Sequence, residues 1–161
     1  MDDQALIDAQ LGRPARGVVR VAARCPFGAP AVTEQRSYLE DGEPFPTTYY
    51  LTCPHAVRRV SALEDAGGVA RWERLTHDDE ALAASLATAT ARQRALRTPA
   101  PKMADGGASL ALGIGGTAHE GTIKCLHAHV AFALAEPGYD LGDRIAAEAD
   151  PLFPPDRCCT A

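Results

Sequence analysis

Cys125, His127 and His129 lie in the run Thr122-Ile123-Lys124-Cys125-Leu126-His127-Ala128-His129, shortly after the glycine-rich stretch Gly113-Ile114-Gly115-Gly116-Thr117. The chain has only five cysteines and five histidines, so this cluster is the first place to look for chemistry. Cys25 and Cys53 each precede a proline, and His55 follows two residues after Cys53. If Cys125 opens a helix, the helix dipole and its free amides favour the thiolate, the form that attacks electrophiles and binds metals. On such a helix His129, four residues on, shares the face of Cys125 while His127 points elsewhere; a strand would put all three on one side. The alanine-rich sequence beyond His129 favours the helix.

Three chemistries compete with a plain structural role. A metal site draws on Cys25, Cys53, His55, Cys125 and His129, a mixed thiolate and imidazole set that zinc or iron accepts. A nucleophilic site uses Cys125 with His127 as base, as in cysteine hydrolases and transferases. An anion site uses Gly113, Gly115 and Gly116, whose backbone can close around a phosphorylated or otherwise anionic small molecule, with Lys124 adding positive charge. The glycine pattern matches neither the P-loop nor the full dinucleotide fingerprint. Set against all three, cysteines are commonly small buried hydrophobes and histidines commonly satisfy local hydrogen bonds.

The elements that must position these residues are readable from breakers and periodicity. Asp3 to Leu11 predicts a helix capped by Asp3 and stopped by Gly12. Gly17 to Arg24, Ala31 to Tyr38 and Thr47 to Thr52 predict strands, the first ended by Cys25-Pro26-Phe27-Gly28 and the last by Cys53-Pro54, with a turn at Asp41-Gly42. Ala56 to Ala66 turns helical, with Val57, Val60 and Leu63 on one face and Gly67-Gly68 as terminator. Val69 to Leu75 predicts a short helix, and Thr76-His77-Asp78-Asp79 resembles a capping box before a helix to Arg97. Thr98 to Gly107 reads as a loop, Ser109 to Ile114 as a strand or loop, Lys124 to Ala135 as a helix, and Asp140 to Ala149 as a final helix capped by Asp140. The expectation is an α+β fold, a small antiparallel sheet packed against helices, with one domain over residues 1–150 and a flexible tail over 151–161.

With 161 residues and 46% hydrophobic composition, the chain supports one ordinary core. Net charge −5 at pH 7 argues against general nucleic-acid binding, which rests on a basic surface. The acidic start Met1-Asp2-Asp3-Gln4 lacks the pattern of a signal peptide, and no apolar run reaches membrane-span length, so a soluble cytoplasmic protein without a membrane partner is expected.

Three segments together resemble a known family: Arg24-Cys25-Pro26-Phe27-Gly28-Ala29-Pro30, Pro44-Phe45-Pro46 through Leu51-Thr52-Cys53-Pro54, and Gly113-Ile114-Gly115-Gly116 with Lys124-Cys125-Leu126-His127-Ala128-His129. It is an uncharacterised bacterial family, mainly actinobacterial, catalogued as domain of unknown function number five hundred and one. The resemblance brings no activity and no catalytic residues. It does imply a gene neighbourhood with enolase, a septum-formation protein and an exopolyphosphatase. From that neighbourhood comes a further alternative, a noncatalytic adaptor in cell division or phosphate metabolism. The leading expectation is a protein with a Cys/His metal site that binds an anionic small molecule, and the second is a metal-free cysteine hydrolase or transferase using Cys125.

Overall fold

α5, Leu126–Ala135, is apolar on every side, and a helix of that kind is stable only when surrounded. In the computed structural model, which describes residues 2–159, it is the centre of the molecule: Leu126 and the run from Ala128 to Ala133 are buried. Three antiparallel strands in the order β1-β2-β3 cover one side: β1 is Val18–Arg24, β2 Pro30–Gln35 and β3 Tyr49–Leu51. Two helices, α2 (Pro54–Asp65) and α6 (Asp140–Glu148), pack directly on α5; α3 (Gly68–Asp78) packs on α2 and on α4 (Glu80–Leu96), α4 also on α6, and α1 (Asp3–Leu11) lies against β2. The chain is a single α+β domain with a small antiparallel sheet packed against helices, as its residue patterns predict.

Local chemistry accounts for most boundaries. Pro54 opens α2 at its first turn, where its missing N–H costs nothing. Asp79 caps α4, its carboxylate accepting from the amides of Ala81 at 2.9 Å and Leu82 at 3.1 Å. Leu82, Leu86, Ala89 and Gln93 then form the buried stripe of α4. Between β1 and β2 the Cys25-Pro26-Phe27-Gly28 turn closes with the Gly28 amide donating to the Cys25 carbonyl, and Gly28 takes φ +84° there. β1 pairs with β2 through three register shifts, between Val18 and Arg20, Val21 and Ala23, and Ala23 and Arg24.

The structure moves several predicted boundaries. Asp2, rather than Asp3, caps α1 through Ala5. α3 continues through Asp78, so Asp79 alone makes the next cap and no capping box forms. Residues 109–114 hold no strand, only the end of a 3-10 turn at Ala108–Ala111 followed by loop. Asp140 lies in the first turn of α6, one residue after its N-cap, Tyr139. The residues beyond Asp150 lie against the body: Leu152 is buried, and Phe153 and Cys158 pack on the core. Pro151, Pro154 and Pro155 preclude regular structure there, but they do not prevent an apolar pair from docking. Residues 160 and 161 of the expected tail lie outside the described residues. Among the described residues no helix is long and apolar enough to cross a membrane.

Candidate functional site

α2 turns one stripe, Val57, Ser61 and Glu64, toward the first turn of α5. α5 needs this neighbour. Its N-cap position is Cys125, whose side chain makes no capping bond, so the orphan Leu126 amide donates instead to Glu64 Oε1 at 2.6 Å. A carboxylate at a helix N-terminus is also favoured by the helix dipole. The same Oε1 lies 3.1 Å from His127 Nδ1, and Cys125 Sγ lies 3.7 Å from that nitrogen. Glu64, Cys125 and His127 are the one group of three potential metal ligands among the described residues, their ligand atoms all within 4.8 Å of one another.

The other imidazole nitrogen decides the protonation. Nε2 lies 3.2 Å from the Val57 carbonyl and 3.1 Å from Ser61 Oγ. A carbonyl can only accept, so Nε2 carries the hydrogen and Nδ1 turns its lone pair toward a carboxylate and a sulfur. Three electron-rich atoms then surround one point, which calls for a cation, either a proton or a metal ion. Burial pushes His127 toward the neutral form, but the hydrogen bond and charge of the Cys125 sulfur, then the Glu64 charge and the Val57 carbonyl, outweigh it and raise its pKa to about 9.

Cys125 and His127 open onto a cleft of about 400 Å³, walled by Tyr50 and Leu51 of β3, Val57 of α2, and Gly115. The glycine loop does lie beside the cysteine. A Cβ at Gly115 would sit 3.9 Å from that of Cys125, and φ +71°, rather than lack of space, is what requires glycine. Its neighbours do not form an open anion cradle: the Gly113 amide donates to the Thr117 carbonyl and the Gly116 amide to the Gly113 carbonyl. Lys124 is exposed and does not line the cleft.

The predicted metal set of Cys25, Cys53, His55, Cys125 and His129 is not brought together. Cys25 is buried in the β1–β2 turn. Cys53 ends the β3 connection with its Sγ 3.6 Å from Cys159 Sγ, and His55 Nε2 lies 3.0 Å from the Pro151 carbonyl oxygen. His129 is fully buried with Nδ1 2.7 Å from the Tyr139 hydroxyl, and burial lowers its pKa to about 4. The physical reason is the start of α5. Cys125 is extended, at φ −154° and ψ 123°, so the two-residue spacing of a strand, not the four-residue spacing of a helix, selects its partner. The predicted pair of Cys125 and His127 is therefore the one in contact. Glu64 was missed; it stands seven residues after Val57 on the half-buried face of α2, and nothing in its sequence neighbours marks it as partnered.

Residues 21–146 match the model of a family described as Protein of unknown function (DUF501). The chain belongs to that family. The match spans both halves of the site, Glu64 and the Cys125-Leu126-His127 segment. No curated protein and no solved structure matches the chain.

Proposed function

We propose that the protein holds a divalent ion of the zinc class at Glu64 Oε1, His127 Nδ1 and Cys125 Sγ, and presents it to the cleft. The carrying observation is the convergence of these three atoms, 3.1 and 3.7 Å apart about Nδ1, with the remaining polar contacts already made by Val57 and Leu126. Tetrahedral zinc with bonds of about 2.0–2.3 Å places its ligand atoms roughly 3.3–3.7 Å apart, close to the two distances about Nδ1, and Glu64 Oε1 and Cys125 Sγ lie within 4.8 Å of one another. The Nε2 bond to a backbone carbonyl is the usual outer support of a metal-binding histidine. Iron accepts the same donors. Three protein ligands beside a cleft match catalytic rather than structural zinc sites, so the reading extends to a metal-dependent reaction on a small molecule. Tyr49, Tyr50, Leu51 and Val57 give the cleft a largely apolar wall with hydroxyl groups, which suits a small molecule with an apolar part.

Elemental analysis of protein purified without an affinity tag tests this, together with cobalt substitution read by the thiolate-to-cobalt charge-transfer band. About one ion per chain is expected, with affinity falling at least about tenfold in Glu64→Gln and further in Cys125→Ser. Protein that takes up neither zinc nor cobalt, with melting unchanged by chelators, would end the metal reading.

A second reading is supported by the position of Cys125 at the N-terminus of α5 beside a histidine of raised pKa. There Cys125 is the nucleophile, His127 its proton-accepting partner, and Glu64 orients the ring. It predicts that in metal-free protein iodoacetamide labels Cys125 far faster than buried Cys25, and that Glu64→Gln slows the labelling.

A further inference from the structure

We infer that Cys53 and Cys159 form a dithiol–disulfide exchange site whose co-substrate is a small-molecule disulfide. Their sulfurs lie 3.6 Å apart although 106 positions separate them in the chain. Closure to a bond of about 2.05 Å needs only a small side-chain movement. The two thiols are unequal in a way that orders the reaction. Cys53 is 2% exposed, while Cys159 is exposed. Burial, opposed by the Ala56 amide and reinforced by Cys159, pushes the Cys53 thiol up to about 11. Cys53 is therefore a poor first nucleophile, and only Cys159 is open to a reagent from solvent.

The exchange runs in two steps. The Cys159 thiolate attacks one sulfur of the small disulfide, forming a mixed disulfide and expelling one small thiolate. Deprotonated Cys53 then attacks the Cys159 sulfur, forming the Cys53–Cys159 bond and expelling the second small thiolate. Two electrons pass to the co-substrate, and the two thiol protons leave with its two thiols. Cys53 lies between Leu51 and Val57, which both wall the cleft, so the bond fastens the C-terminal segment to the junction from which both walls start.

The test uses the full chain, reduced with a phosphine and then exposed to oxidised glutathione at increasing ratio to the reduced form. Peptide mapping should give Cys53 linked to Cys159 with the loss of two hydrogens and no lasting glutathione on either residue, whatever adducts Cys125 or Cys158 carry. Cys53→Ser should instead accumulate a glutathione adduct on Cys159. Cys159→Ser, a change at an exposed position that leaves folding intact, should abolish the link and leave Cys53 unmodified. Cys158→Ser should still form it. The inference is overturned if no hydrogens are lost at any ratio, if Cys53 links to Cys158 instead, or if the wild type keeps the same adduct as Cys53→Ser.

Discussion

Nδ1 of His127 is the atom on which the site depends, because among the described residues its polar neighbours are an acidic oxygen and a sulfur. Two residues away, His129 has the opposite environment. It is sealed in the core with Nδ1 on the Tyr139 hydroxyl and Nε2 without a partner among the described residues. Tyr139→Phe should therefore leave the buried ring without its one hydrogen bond and cost about 1–3 kcal/mol in denaturant unfolding, with little change in side-chain volume. Asp105 sets a pH limit. Burial raises its pKa, but the Tyr38 hydroxyl and the amides of Ser109 and Gly107 donate to it and lower the value to about 2. A carboxyl of depressed pKa stabilises the fold above its unfolded value of 3.8, and that contribution is lost as pH falls from there toward about 2. Acid titration of Asp105→Asn should show a shallower stability loss through this window than the wild type.

At the scale of elements, one residue of helix start decides which histidine meets Cys125. Periodicity places α5 well, but it cannot tell whether Cys125 is its first helical residue or the extended residue before it, because no capping side chain marks the end. Cap and breaker residues made α1, α2 and α4 legible; Asp79 and Pro54 act locally. Glu64 acts across 62 positions to Leu126, and nothing near Cys125 announces it. The α5–α6 crossing was equally hidden. A Cβ on Gly142 would lie 2.6 Å from the Tyr139 ring and 2.7 Å from both Ala133 Cβ and the His129 carbonyl. Gly142→Ala should thus separate the two helices and destabilise by roughly 1–3 kcal/mol, read from the denaturant midpoint.

Across the whole molecule, a metal ion at Glu64, Cys125 and His127 would join α2 to α5, so it should stabilise the native state by linkage. Zinc at a hundred times its dissociation constant should add about 2.7 kcal/mol, visible as a melting shift absent in Cys125→Ser. The segment beyond α6 contributes through packing. Ending the chain after Asp150 removes buried Leu152 and half-buried Phe153, and should cost roughly 2–4 kcal/mol. A merely flexible tail would cost nothing. The prolines hid this role because they report the absence of regular structure and not the absence of burial. Finally, β1 has no strand on its outer side among the described residues, and such a row of free amides and carbonyls is the usual template for polymerisation. Here the β1–β2 pairing shifts register between Val18 and Arg20, Val21 and Ala23, and Ala23 and Arg24, two of these by an extra residue in β1, and Arg20 and Arg24 belong to that strand. An incoming strand finds no regular ladder to extend and meets the ion pairs of Arg20 with Glu34 and Arg24 with Asp3, charged groups it would have to desolvate. The irregular strand that makes the sheet look imperfect thereby makes its outer edge a poor template for strand addition.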